Sequence, residues 1–332
     1  MSQHVLITGG AGFIGSHLTR RLLDRGDRIT VLDDFNDYYD PARKRRNVAD
    51  FIGRPDYRLV EGDIRDAELV DRLFRGDHPA GQGSAEWGKF DGVIHLAARA
   101  GVRPSLQQPI LYEEVNCVAT LHLLEAARNH GPEVFTFGSS SSVYGINKKV
   151  PFAETDPVDQ PISPYATTKR TGELLCFNYH HLYGLKTSCL RFFTVYGPGQ
   201  RPEMAIHKFT DLLARGETIP LYGNGDSRRD YTYVDDIVSG IVAAHDLAPG
   251  FEIFNLGGAE TTRLGDLVQW LADELAVEPR IEYLPDQPGD VPITYADVTK
   301  AGDMLGYAPK VPIREGIRRF VAWYKQNSEQ SI

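Results

Sequence analysis

Cysteine is scarce in this 332-residue chain: Cys117, Cys176 and Cys189 are the only three, an odd number without the spacing of a metal site. A disulfide framework is therefore not expected, and three buried thiols in a reducing compartment are. Positive charge is also in deficit, with 36 Lys and Arg against 45 Asp and Glu and a formal net charge of −9. That balance argues against a nucleic-acid or anionic-membrane surface, while leaving room for an anionic small molecule held by a few local arginines. No run approaches the ~20 apolar residues of a membrane span. Met1 leads straight into an apolar stretch with neither a basic segment nor a cleavage site, so the expected location is the cytoplasm.

What the chain does have is a regular alternation. His4–Thr8, Arg28–Asp33, Tyr57–Glu61, Asp91–Leu96, Val134–Gly138 and Thr187–Phe193 read as strands, several too continuously apolar to own a solvent face. Phe13–Arg25, Ala67–Arg75, Pro109–Asn129 and Tyr165–Tyr183 carry helical spacing between them. Repeated β-α-β order predicts an α/β fold with a doubly wound parallel sheet. Gly76–Gly88 reads as a surface insertion and Asn327–Ile332 as a loose tail. From about Gly197, prolines and Gly-rich turns break the chain into shorter elements, which predicts a smaller C-terminal α/β lobe. The division is placed at 1–196 and 197–326, with some later segments returning to the first unit.

Thr8-Gly9-Gly10-Ala11-Gly12-Phe13-Ile14-Gly15 joins the first strand to the first helix. Glycines at this spacing permit a tight turn, a bare backbone where a pyrophosphate approaches, and close packing of helix on strand. A plain turn would explain the glycines alone, but Asp33 closes the second strand, where a carboxylate accepts bonds from ribose hydroxyls. A 2′-phosphate beside Asp33 would be repelled, and Asp34 rather than Arg follows it, so NAD is expected over NADP. Asp63, with Ile64, reaches the adenine or caps the helix that begins near Ala67; the residues leave both open.

Tyr165-Ala166-Thr167-Thr168-Lys169 sets a phenol and an ammonium on one helical face. Lys169, with a positive nicotinamide ring, is expected to lower the Tyr165 pKa toward that of a general base. Most such pairs are solvated surface, and a Ser-rich turn is usually only a turn. Here the hydroxyl run Gly138-Ser139-Ser140-Ser141-Ser142 ends a buried strand at the edge where open α/β sheets bind ligands, which favours chemistry.

Together these residues resemble the extended short-chain dehydrogenases/reductases of the nucleotide-sugar epimerase and dehydratase group, from residue 5 to about 325. The stretches Asp33–Pro41, Ala100–Ser105, Arg191–Pro198, Arg201–Ala205 and Gln287–Val291 resemble its uronate-epimerising members. The resemblance implies a Rossmann domain, a UDP-sugar-binding lobe, a homodimer paired through Pro109–Asn129 and Tyr165–Tyr183, and C4 epimerisation of UDP-glucuronate to UDP-galacturonate. A neutral UDP-hexose 4-epimerase, a UDP-glucuronate decarboxylase, and a non-catalytic NAD sensor are the alternatives. It assigns catalysis to Ser140, with Ser139 the nearest competitor, and to Tyr165 and Lys169. Cofactor contacts fall to Gly9, Gly12, Phe13, Ile14, Gly15, Asp33, Asn36, Asp63, Ile64, Leu96, Ala97, Ala98, Asn116, Tyr165, Lys169 and Phe192. Substrate contacts fall to Ser140, Ser141, Ser142, Thr194, Arg201, Tyr222, Arg229 and Asp290, and Arg103 either joins them or caps a loop. The dehydratases and decarboxylases of the group carry an acid in the segment that here reads Ser141–Tyr144, so elimination is disfavoured. Gln287 replaces an Arg of glucose-type members, and Arg99 stands where Gln is expected. His95 and His180-His181 lack partners at ligand spacing, and no metal is expected.

Overall fold

A computed structural model describes residues 2–77, 87–285 and 292–328. Seven strands form one sheet: β1 (His4–Thr8), β2 (Arg28–Asp33), β3 (Tyr57–Glu61), β4 (Gly92–His95), β5 (Val134–Ser140), β6 (Lys186–Phe192) and, after shorter strands β7 (Thr194–Tyr196), β8 (Ile219–Tyr222), β9 (Arg228–Arg229) and β10 (Tyr231–Tyr233), β11 (Phe251–Leu256). Its order is β11-β6-β5-β4-β1-β2-β3 and every pairing is parallel. Parallel strands must be covered on both faces, which is why β1 and most of β2 are buried along their length. Two apolar clusters do the covering, one holding Val5, Ile7, Val31 and Ile94, the other Leu6, Leu32, Val93 and Phe137, so alternate residues feed opposite faces. The order reverses between β1 and β4, and a crevice opens there at the carboxyl ends of the strands.

Helix α1 (Phe13–Arg25) starts at Gly12 and stops at Gly26, whose φ of 93° suits a residue without Cβ. Next come α2 (Pro41–Val48), α3 (Ala67–Arg75), α4 (Val102–Gln107) and α5 (Pro109–Glu113), then α6 (Ala119–His130) and α7 (Pro164–Tyr183). Ser163 begins α7: its side chain accepts the Ala166 N–H, and Pro164 occupies the first turn. The remaining chain pairs β10 with β7, β12 (Thr262–Arg263) with β9, and β13 (Ile281–Leu284) with β8. Its helices are α8 (Ala205–Ala214), α9 (Val234–Leu247), α10 (Leu264–Leu275), α11 (Thr299–Leu305) and α12 (Ile313–Ser328). Among the described residues, no helix is long and apolar enough to cross a membrane.

The structure departs from the sequence expectation in several places. Strand β5 runs on through Ser139 and Ser140, because both find ladder partners, Arg191 and Phe192, in β6. The helix expected over Pro109–Asn129 is interrupted by a π-turn at Glu114–Val118, where the Asn116 amide is drawn onto the Arg99 backbone and the Thr168 hydroxyl. β4 is a residue shorter at each end, and β6 closes at Phe192, leaving Phe193 packed against Tyr144 and Phe152. Asn327 and Ser328 belong to α12 rather than to a tail. The insertion between Gly76 and Gly88 lies outside the described residues from 78 to 86. All three cysteines are free and buried.

Three buried histidines make the fold acid-sensitive. His95 is pushed down to about 3 by burial, with Lys169 adding to it, and burial also takes His207 and His245 to about 4. Each is neutral when folded yet charges near pH 6.5 when unfolded, so its contribution is complete above that pH and is lost as pH falls toward the folded value. Each neutral histidine costs up to about 1.4 kcal/mol per pH unit in that window. Thermal unfolding should show Tm falling steeply from pH 6.5 to 4, above the range of ordinary carboxylates; a flat Tm there would contradict these burials.

Candidate active site

One cleft of about 1060 Å³ runs over the crevice between β1 and β4 and on to the ends of β5 and β6. That exceeds an ordinary single-ligand pocket and accommodates two ligands end to end. At one end lies the loop between β1 and α1. A Cβ on Gly9 would stand 2.7 Å from the Ala97 nitrogen, and one on Gly15 would stand 2.2 Å from the Gly9 carbonyl oxygen. The loop is therefore closed on itself as tightly as backbone allows, with the N-terminus of α1 aimed into the cleft, a cradle that fits a pyrophosphate.

Asp33 stands beside it, 5% exposed, its Oδ2 accepting the Ala11 N–H and its Oδ1 the Phe35 N–H. Burial pushes its carboxyl up, and Lys44 opposes that. Lys44 is a residue the sequence reading missed: it is buried, 3.4 Å from Asp33 and 3.7 Å from Asp34. One ammonium against two carboxylates still leaves this end of the cleft negative, so the expectation against a 2′-phosphate holds with the cation included. Only the basic run Arg43-Lys44-Arg45-Arg46 in an acidic chain signalled it. Asp63 does not cap α3, because Asp66 does, accepting the Leu69 N–H. Asp63 lies on the cleft wall with Ile64 and holds Arg65 through two bonds of 2.9 and 2.6 Å. Phe13, Ile14, Asn36, Leu96, Ala97 and Ala98 line the same end, as does Arg99.

Asn116, expected among the cofactor contacts, is buried, and its side chain is bonded to the Arg99 N–H and carbonyl and to Thr168.

At the other end α7 brings Tyr165 and Lys169 against the end of β5. Tyr165 and Ser140 line the same stretch of the cleft, close enough for the Ser140 hydroxyl to pull the phenol's pKa down. Ser139 points the other way, buried, and donates to Glu173 at 2.7 Å, which removes it as a competitor for the same place. Lys169 Nζ donates to the Gly138 carbonyl at 2.6 Å, and burial brings its pKa down to about 8. The expected lowering of Tyr165 by Lys169 is not seen here. Burial pushes the phenol up instead, while the Ser140 hydroxyl and the Arg201 charge pull it down, because the ammonium is turned onto Gly138.

Ser141, Ser142, Phe192 and Thr194 continue this wall, and Arg103, Arg201 and Arg229 stand around the opening. Ser142 Oγ donates to Ser140 Oγ at 3.0 Å. Arg103 lies over the Tyr222 ring at 5.5 Å, so Tyr222 supports the opening from behind that guanidinium. Arg201 lies over the Tyr38 ring at 5.6 Å and 3.1 Å from Glu203. Tyr38, Tyr39 and Glu203 also line the cleft; they lie in the stretches Asp33–Pro41 and Arg201–Ala205 that carried the resemblance, but no role was assigned to them there. Asp290 and Gln287 lie outside the described residues. Among the described residues, no three His, Cys, Asp or Glu side chains cluster as a metal site.

Residues 6–320 match the GDP-mannose 4,6-dehydratase family. UDP-glucuronate 4-epimerase 4 of Arabidopsis thaliana is 41% identical over 338 residues, covering 96% of this chain and 75% of that protein. A UDP-glucuronic acid 4-epimerase from Bacillus cereus, solved with UDP-glucuronic acid and NAD, superposes with a TM-score of 0.87 at 32% identity, covering 98% of this chain and 99% of that one. A dTDP-glucose 4,6-dehydratase from Streptomyces venezuelae, solved with NAD, gives the same TM-score of 0.87 at 34% identity and covers 98% of each chain. Overall likeness therefore does not separate the reactions, and the site residues must. By sequence match, by the seven-stranded sheet and by the glycine cradle, the chain belongs to the GDP-mannose 4,6-dehydratase family of extended short-chain dehydrogenases/reductases.

Proposed function

We propose that the chain is an isomerase, an NAD-dependent 4-epimerase that interconverts UDP-glucuronate and UDP-galacturonate through a transient 4-keto sugar. The observation that carries this reading is the Ser140–Tyr165 pair at the cleft wall, joined to a run of hydroxyls, Ser139 to Ser142, that contains no carboxylate. Residues 1–196 would hold the dinucleotide, with Gly9, Gly12 and Gly15 at the pyrophosphate, Asp33 at the adenosine ribose, and Lys169 at the nicotinamide ribose. Bound NAD supplies a reversible hydride acceptor at carbon 4 and leaves each turnover unchanged.

The protein's own part is proton handling and restraint. Tyr165 takes the proton of the 4-hydroxyl and returns it after the sugar has turned, while Ser140 holds that oxygen. With no acid in the Ser141–Tyr144 turn, C5 has no adjacent base there and water elimination is disfavoured. A 4-keto uronate loses CO2 when its carboxylate bond aligns with the carbonyl π system. Ser141, Ser142 and Thr194 would hold the carboxylate out of that alignment with neutral donors. Residues 197–326 would mainly bind UDP, with Arg201 and Arg229 at the diphosphate, Tyr222 toward the uracil and Asp290 toward a ribose hydroxyl; Arg103 would join from the first unit. The active species would be a homodimer, a reading supported by Ile110, Val118, Leu174 and Phe177, exposed on or beside α5 and α7.

The test is incubation of purified protein with UDP-glucuronate, without added cofactor, followed by NMR. UDP-galacturonate should appear without loss of CO2. A UDP-pentose would convert the reading to a decarboxylase, and turnover of neutral UDP-hexoses alone would withdraw the carboxylate role of Thr194.

A further inference from the structure

Ser140 and Tyr165 come from different elements, and a buried ion pair lies beside both elements. Tyr165, Lys169 and Glu173 follow one another at i, i+4 and i+8 on the inner face of α7. Glu173 Oε1 accepts from Ser139 Oγ at 2.7 Å and from Arg191 Nε at 2.8 Å. Its Oε2 accepts from Arg191 Nη2 and Arg170 Nη1, both at 2.9 Å. The two central side chains are 0% and 1% exposed, Glu173 and Arg191 respectively. Arg191 is the ladder partner of Ser139, and its guanidinium lies 4.8 Å from the centre of the Tyr144 ring. Tyr144 is pinned in turn, its hydroxyl donating to Asn255 Oδ1 at 2.7 Å while its ring stacks on Phe152. One Glu–Arg fork thus grips the residue before Ser140 and the residue that ends the Ser141–Tyr144 turn.

Stability alone is a poor explanation for such a pair, since replacing both partners of a buried ion pair by apolar residues is often neutral or stabilising. Arg191 Nη1 has no hydrogen-bond partner, a further cost of keeping this guanidinium inside. Building on the reading of Ser140 and Tyr165 as the reacting pair, we propose that Glu173 and Arg191 are positioning residues that lock the hydroxyl turn onto α7 and so fix Ser140 against Tyr165. Lys169, bonded to Gly138 one residue upstream of Ser139, fastens the same strand end to the same helix.

The test separates position from stability. Ser139→Ala removes only the link between the fork and the strand; kcat should fall about fivefold, the worth of one ordinary hydrogen bond, with KM and bound NAD unchanged. The double variant Glu173→Leu/Arg191→Leu should unfold at or above the wild-type Tm while kcat stays at least tenfold down. A double variant that regains wild-type kcat would overturn the proposal. Hydrogen exchange at the amides of Ser140 to Tyr144 gives a readout independent of turnover: protection should drop in Ser139→Ala and in the double variant. Unchanged protection would also overturn it. If wild-type protein turned over no UDP-sugar, the functional reading would fail, and exchange would still decide the positioning role.

Discussion

Tyr165→Phe should lower turnover by about 10²–10⁴-fold, the usual worth of a positioned acid–base group, while bound dinucleotide and KM change little. The side chain sits in the first turn of α7, whose start is fixed by Ser163 and Pro164, so deleting one oxygen leaves the backbone where it was. Only the hydroxyl beside Ser140 is lost. Burial pushes that phenol up in the protein alone, so it carries its proton until a cation or a ligand intervenes. Arg201 already acts in that direction, while the Lys169 ammonium donates to the Gly138 carbonyl and keeps two further N–H donors. The measurement is steady-state turnover of UDP-glucuronate beside the NAD content of the purified variant. A fall of less than tenfold would put the base elsewhere, with Tyr38, which also lines the cleft, the next phenol to examine.

Gly15→Ala should abolish NAD co-purification and weaken added NAD by at least about 100-fold, a loss of some 3 kcal/mol. The new methyl would stand 2.2 Å from the Gly9 oxygen and 2.7 Å from the Gly10 Cα, both backbone atoms that no rotamer change can move. The loop itself is pinned, Ala11 donating to Asp33 and its carbonyl accepting from Asn47 at 3.0 Å. Helix α1 must therefore lift off the cradle, and overpacking of this kind costs about 1–3 kcal/mol of stability as well. Gly265→Ala is the control, since its new methyl would meet nothing nearer than the Gly225 carbonyl oxygen at 3.6 Å. The 260/280 nm absorbance ratio and calorimetric titration with NAD report both. Retained NAD in Gly15→Ala would mean that the pyrophosphate does not use this turn.

Alternation of buried apolar runs with helical spacing was enough to place the first six sheet strands to within two residues at either end, because a parallel strand covered on both faces has almost no freedom in composition. The glycines at 9, 12 and 15 were equally readable from their spacing, and at 9 and 15 only a residue without Cβ meets the distances found there. Asp33 was legible as the carboxylate that closes a strand, but its neighbour Lys44 was not: that contact is made by α2 folding back over the loop. Asn116 entered only through the resemblance, and what its side chain touches here, the backbone of Arg99 beside a π-turn, is a detail that helical periodicity cannot announce.

The same division holds at the reacting end. From sequence alone, Tyr165 and Lys169 share a helical face, and four serines end a strand; residue type and spacing determine that much because backbone geometry is local. Which serine faces Tyr165, and which is spent on Glu173, depended on the pleat of β5 against β6. The direction of the Tyr165 pKa depended on burial and on where the Lys169 ammonium found its acceptor. Those are properties of packing between segments far apart in the chain, and no local pattern carries them.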